Sequence, residues 1–87
     1  MSVDRYDGPA VVVADGARFP VEARLRREPD GERWGGRLWT DDPAIDPDAV
    51  AAADILVVWV GGVGSAFVVE RVLDHHMTVA GTGIPPF

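Results

Sequence analysis

From Phe19 to Arg26, apolar and charged residues trade places at nearly every step. Phe19, Val21, Ala23 and Leu25 share one side, and Glu22, Arg24 and Arg26 the other. A period of two over this length predicts a strand with one buried and one wet face. Pro20 has no N–H to give to a ladder, which makes that end of the strand an edge. Upstream, the β-branched run Val11–Val13 reaches Asp15-Gly16, a dipeptide that supplies the positive φ of tight hairpins. The first two strands therefore form a hairpin.

The pattern continues in short segments. Pro29-Asp30-Gly31 has the residue order of a turn. In "RWGGRLWT", Trp34, Gly36 and Leu38 share one face, and Arg33, Gly35, Arg37 and Trp39 the other. Paired glycines inside a strand predict a bulge, a sharp bend that helps close a barrel, or room for a ligand or aromatic ring. "DDPAIDPDAVAAAD" is the one helix signal, with Asp46 as cap, Pro47 at the first helical position and Ala49 to Ala53 propagating it. Strands follow at Ile55–Val60, Ala66–Leu73 and Met77–Ala80, and "GTGIPPF" ends the chain as an extended tail. One domain over residues 1–87 is predicted: all-β with one short helix, a small antiparallel β-barrel or roll of about six strands.

"ILVVWVGGVGSAF" is the stretch most open to another reading, because a strand running into glycines also opens dinucleotide-binding domains. That fingerprint needs G-x-G-x-x-G, a helix and an acidic residue about 20 positions on. Here Phe67 stands where the last glycine belongs, the following residues are β-branched and aromatic, and no carboxylate falls at the required distance. A phosphate-binding P-loop needs a lysine, and the chain has none. The glycines are read as a hairpin turn. Ser65 lacks the glycine that completes a nucleophile elbow.

The strands on either side of that turn carry the sharper expectations. Ile55–Val60 is apolar on both faces, so its outer face asks for a cover: the short helix, a dimer partner or an associated enzyme. Ala66–Leu73 places Glu70 with Ala66, Val68 and Val72, and Arg71 with Phe67, Val69 and Leu73. Whichever face turns inward carries one charge toward the core, unless a bulge shifts the register.

Composition narrows the function classes. At 87 residues without cysteine, and with 47% apolar residues, the chain builds its core from packing alone. That small size favours a homodimer or a partner surface. The net charge of −6 argues against nucleic acid as a ligand. The arginines are nonetheless concentrated between Arg18 and Arg37, whereas Asp41, Asp42, Asp46, Asp48 and Asp54 form an acidic stretch. No apolar run approaches the roughly 20 residues of a membrane helix, and no secretory signal is visible, so a soluble cytoplasmic protein is expected. His75 and His76 would point to opposite sides of a continuing strand, so no metal site is expected. One of them would suit acid–base work near neutral pH. Tyr6, Trp34, Trp39 and Trp59 offer broad apolar faces with a polar tip.

"YDGPAVVVADGARFPVEARL", "WGGRL" and "TVAGTGIPPF" together resemble the domain of unknown function 4873 family. Its members are bacterial domains of about this length, some free-standing and others fused after flavin-dependent monooxygenases. The resemblance runs from Tyr6 to Phe87 and departs at "RREPDGERWGG", a region that is longer and richer in His and aromatic residues in the family. It implies a small β-structure tied to oxidative or specialised metabolism and transfers no catalytic residue.

Two functions are expected on this footing. The first is a small-molecule-binding barrel of specialised metabolism that takes a hydrophobic ligand, extending to a cofactor-free cyclase or isomerase acting on a nonpolar intermediate. Its candidate catalytic residues are Glu70, Arg71 and His76, and its candidate substrate-binding residues are Tyr6, Arg37, Trp39 and His75, with no cofactor. The alternative is a non-catalytic accessory or dimerisation domain that works with a flavin-dependent oxidoreductase.

Overall fold

Asp15 and Gly16 hold positive φ, 48° and 91°, and these two residues turn strand β1 (Arg5–Ala14) back onto β2 (Ala17–Arg27). The structure is a computed structural model and describes residues 4–29, 33–74 and 76–87. After β2 come β3 (Trp34–Trp39), the helix α1 (Pro47–Ala51), β4 (Leu56–Val60), β5 (Val63–Leu73) and β6 (His76–Gly81). The six strands close into an antiparallel barrel in the order β1-β2-β3-β6-β5-β4, with β4 returning to β1. The expected all-β fold is thus a closed barrel. The turn expected at Pro29-Asp30-Gly31 lies largely outside the described residues.

Both prolines inside strands sit where a ladder is missing. The β1–β4 ladder spans Val11–Ala14 and the β2–β3 ladder spans Glu22–Arg27. Pro9 and Pro20 lie just beyond them, so the absent N–H breaks no bond on that side. The edge expected at Pro20 exists locally although the sheet closes.

The glycine stretch is a hairpin. Gly61 and Gly62 have φ of 55° and 90°, and Val60 pairs directly with Val63. The turn is tighter than "GGVGS" suggested, so β5 starts at Val63. Gly64 can join it because the Trp59 indole lies across its face; an added Cβ would sit 2.8 Å from that ring.

Inward positions alternate regularly, and Val12, Leu25, Leu38, Val58 and Val79 lose essentially all contact with water. Trp34, Phe67 and Met77 fill the remaining space. Both barrel ends are stopped. At one end the β3–β4 connection crosses with α1, burying Val50 and packing Ile45 and Ala53 on the core. The Asp46 carboxylate caps the helix by accepting from the Asp48 N–H at 3.0 Å. At the other end lies the segment expected as an extended tail. The Trp34 Nε1–H donates to the Gly83 carbonyl at 3.0 Å, the Ser65 hydroxyl donates to the Ile84 carbonyl, and the Arg27 guanidinium donates to the Phe87 carbonyl at 3.1 Å. Phe87 meets the Trp34 ring edge-on at 6.3 Å. Held by these contacts, the tail plugs that end of the barrel.

Two alternatives left open by the sequence are decided, the first by the bulge named there as the exception. The β5–β6 register steps by one residue between Val69↔Val79 and Arg71↔Thr78. That bulge turns Ser65, Phe67, Val69 and then Val72 toward the core, and leaves Glu70 and Arg71 both exposed. Neither charge of β5 faces inward, because one inserted residue costs less than burying an unpaired ion. The helix, in turn, stops the barrel end and does not cover the outer face of β4, where Trp59 keeps 40% of its surface exposed.

Candidate functional site: an arginine groove on the outer face

Three neighbouring strands, β2, β3 and β6, set their outward residues in rows. Glu22, Trp39 and His76 form the first row; Arg24, Arg37 and Thr78 the second; Arg26, Gly35 and Ala80 the third. Alternation dictates this arrangement, since Leu25, Trp34, Leu38, Met77 and Val79 take the inward places between them. The third row has almost no side chain on β3 and β6. It forms the floor of a groove of about 620 Å³, bordered by Arg24, Arg26, Arg33, Arg37, Glu28 and Glu70. A second hollow of about 300 Å³, lined by Arg24, Arg37, Trp39 and His76, continues from it across the shared arginine pair.

Gly35 keeps the floor low for a structural reason. A Cβ there would stand 2.6 Å from the Val79 carbonyl oxygen, so the backbones approach too closely for any side chain. The glycine pair therefore serves bend and close approach: Gly36 faces inward with β2 almost upon it, while Gly35 opens the outer surface.

The charges are unbalanced. Arg24 and Arg37 stand directly opposite each other on adjacent strands, where like charges destabilise a sheet by a few tenths of a kcal/mol, up to about 1. Arg24 pairs with Asp7 at 3.2 Å, but both side chains are more than half exposed, and such a pair contributes little. Among the described residues, Arg26 and Arg37 have no ion pair or hydrogen bond of their own. A chain of net charge −6 thus concentrates positive potential on one face, where it draws anions from solution.

The predicted residues divide accordingly. Arg37, Trp39, His76 and Glu70 border the two hollows. Arg71 is on the outer surface in register with Thr78, yet it lines neither hollow. Tyr6 lies apart on β1, where its hydroxyl donates to the Pro9 carbonyl and its ring packs on the core. His75 lies outside the described residues. Arg24, Arg26 and the Gly35–Ala80 floor were missed. The outward parity of Glu22, Arg24 and Arg26 was the available signal, but only the β2–β3 register brings Arg24 to Arg37.

A different surface covers β1, β4 and β5. Val11 stands opposite Trp59, Val13 opposite Val57, and Val57 opposite Ala66, all on outward positions. Val68 extends this apolar face and is about half exposed. No described helix is long and apolar enough to cross a membrane, and no group of three His, Cys, Asp or Glu among the described residues is placed to hold a metal ion.

Among known proteins, a family model described as Domain of unknown function (DUF4873) matches residues 3–87. No curated protein and no solved structure matches the chain.

Proposed function

The chain belongs to the family of domains of unknown function DUF4873, and on that premise we propose that it is a small-molecule-binding barrel of bacterial oxidative or specialised metabolism whose ligand lies on the outer face. One observation carries this reading: two adjoining hollows over β2, β3 and β6 share Arg24 and Arg37, one with Glu70 beside the low Gly35–Ala80 floor and the other with Trp39 and His76. The cofactor-free cyclase or isomerase reading draws less support. A nonpolar intermediate would fold inside the barrel, and Leu25, Leu38, Val58 and Trp34 occupy that space. Of the candidate catalytic residues, Glu70 and His76 border the two hollows and would carry any turnover there. The test is a titration of the isotope-labelled full chain with a panel of charged and neutral small molecules, followed by amide shifts. Saturable shifts should map to β2, β3 and β6. A panel whose every hit maps to β4, or that has no hit at all, overturns the reading.

The accessory-domain reading has its own observation, the apolar face around Trp59. A domain docking on an oxidoreductase, or on a second copy, would use that face because burial of apolar area drives association. Trp59→Glu should then abolish any association seen by sedimentation while leaving thermal unfolding in place. Association that survives the substitution assigns the contact elsewhere.

A further inference from the structure

On the reading that the outer groove is the ligand site, we infer that its ligand is a flat aromatic oxyanion, with one carboxylate or phosphate gripped between Arg24 and Arg37 and the ring laid on the Gly35–Ala80 floor. Residues directly opposite in an antiparallel pair have Cβ atoms about 5 Å apart. Two long side chains rooted that close together can bring their guanidinium forks onto a single oxyanion, each presenting a planar set of donors. The repulsion built into the Arg24↔Arg37 pair turns to attraction once an anion sits between the two.

The body of the ligand follows from what lies one row away. Two residues along a strand is roughly 7 Å, about the reach from a carboxylate across a fused ring. In one direction that step arrives at Gly35 and Ala80, where backbone and a single methyl group offer a flat surface flanked by Arg26. In the other it arrives at Trp39 and His76, two flat side chains in register. Each neighbour of the arginine pair therefore suits a ring. The groove rim also bears on the ligand's charge: Glu28, just past β2, and Glu70, on β5, border the same hollow as the arginines and repel an anionic group brought near either of them. A single central oxyanion is favoured over a polyanion on that ground.

The probes are 2-naphthoate, 2-naphthyl phosphate, cyclohexanecarboxylate, inorganic phosphate and 2-naphthylmethanol, titrated into the full chain with shifts read at Gly35, Arg37 and Ala80. The naphthyl anions should saturate these amides and bind at least tenfold more tightly than the other three. The tighter of the two names the oxyanion as carboxylate or phosphate. Arg37→Gln and Arg24→Gln, both at exposed positions, should each weaken the naphthyl anion about tenfold or more, whereas Arg71→Gln, outside the groove, should not. Equal affinity for cyclohexanecarboxylate overturns the aromatic part, and equal affinity for 2-naphthylmethanol overturns the oxyanion. In both cases the shifts stay in the groove and the ligand-site reading survives. Shifts confined to the Trp59 face sink both.

Discussion

Gly36→Ala is expected to be the most damaging single-methyl change in the chain. An added Cβ would stand 2.0 Å from the Arg24 carbonyl oxygen and 2.9 Å from the Leu25 Cα, with φ at +151°. These are backbone atoms of β2, locked in the ladder that pairs Leu25 with Gly36. No rotamer change relieves the clash, so the strands must separate at the row that holds the barrel shut. A loss of about 4 kcal/mol or more is expected, which is most of the stability of a small domain. Gly16→Ala is the matched control. Its φ is +91° but nothing lies within 4 Å of the new methyl, so only the left-handed strain of about 1–2 kcal/mol applies. Urea midpoints separate the two. Should Gly36→Ala unfold within 1 kcal/mol of Gly16→Ala, the close approach of β2 to β3 is not what this structure describes.

Trp34→Ala ranks second. The side chain is 2% exposed and is among the largest fully buried groups, and truncations of this kind cost roughly 3–5 kcal/mol. More than packing is lost here. The Nε1–H bond to the Gly83 carbonyl and the edge contact with Phe87 both vanish, so the plug at that barrel end loses its anchor. The predicted signature is twofold: a fall in the unfolding midpoint, and faster amide exchange at Thr82, whose N–H donates to the Ala66 carbonyl at 3.0 Å. Trp34→Phe should recover part of the midpoint but not the tail protection, because it restores ring volume without the donor. If both variants leave exchange at Thr82 unchanged, the tail is held by other contacts.

Much of the barrel was legible because its signals are local. Asp15-Gly16 and Gly61-Gly62 each turn a hairpin through two positive φ values, and Asp46-Pro47 starts the helix. The alternation in β2 sorts Val21, Ala23 and Leu25 inward without error. What was not legible depends on pairing across long separations. The residues of β5 alone, with one charge on each face, left a bulge as one alternative, and only the count against β6 places it at Glu70. The tail's role as a plug needed Trp34, Ser65 and Arg27 brought to it from three strands. The candidate site shows the same division. Arg37, Trp39 and His76 were picked as chemically able residues, but their neighbours Arg24 and Ala80 come from strands whose order around the barrel no local pattern encodes.

Closure of the barrel has a consequence for the most apolar strand of this valine-rich chain. Each strand has a neighbour on both sides, and β4 is paired along nearly its whole length on both of them, so in the folded protein it offers no row of free N–H and C=O groups on which a foreign strand could grow. The β1–β4 seam joins Val11–Ala14 to Leu56–Trp59, segments far apart in sequence, and contacts of such separation are slow to form. Until that seam closes, Leu56–Val60 is a naked apolar edge. The danger of fibre-like association therefore belongs to the folding chain, and ends when β4 finds β1.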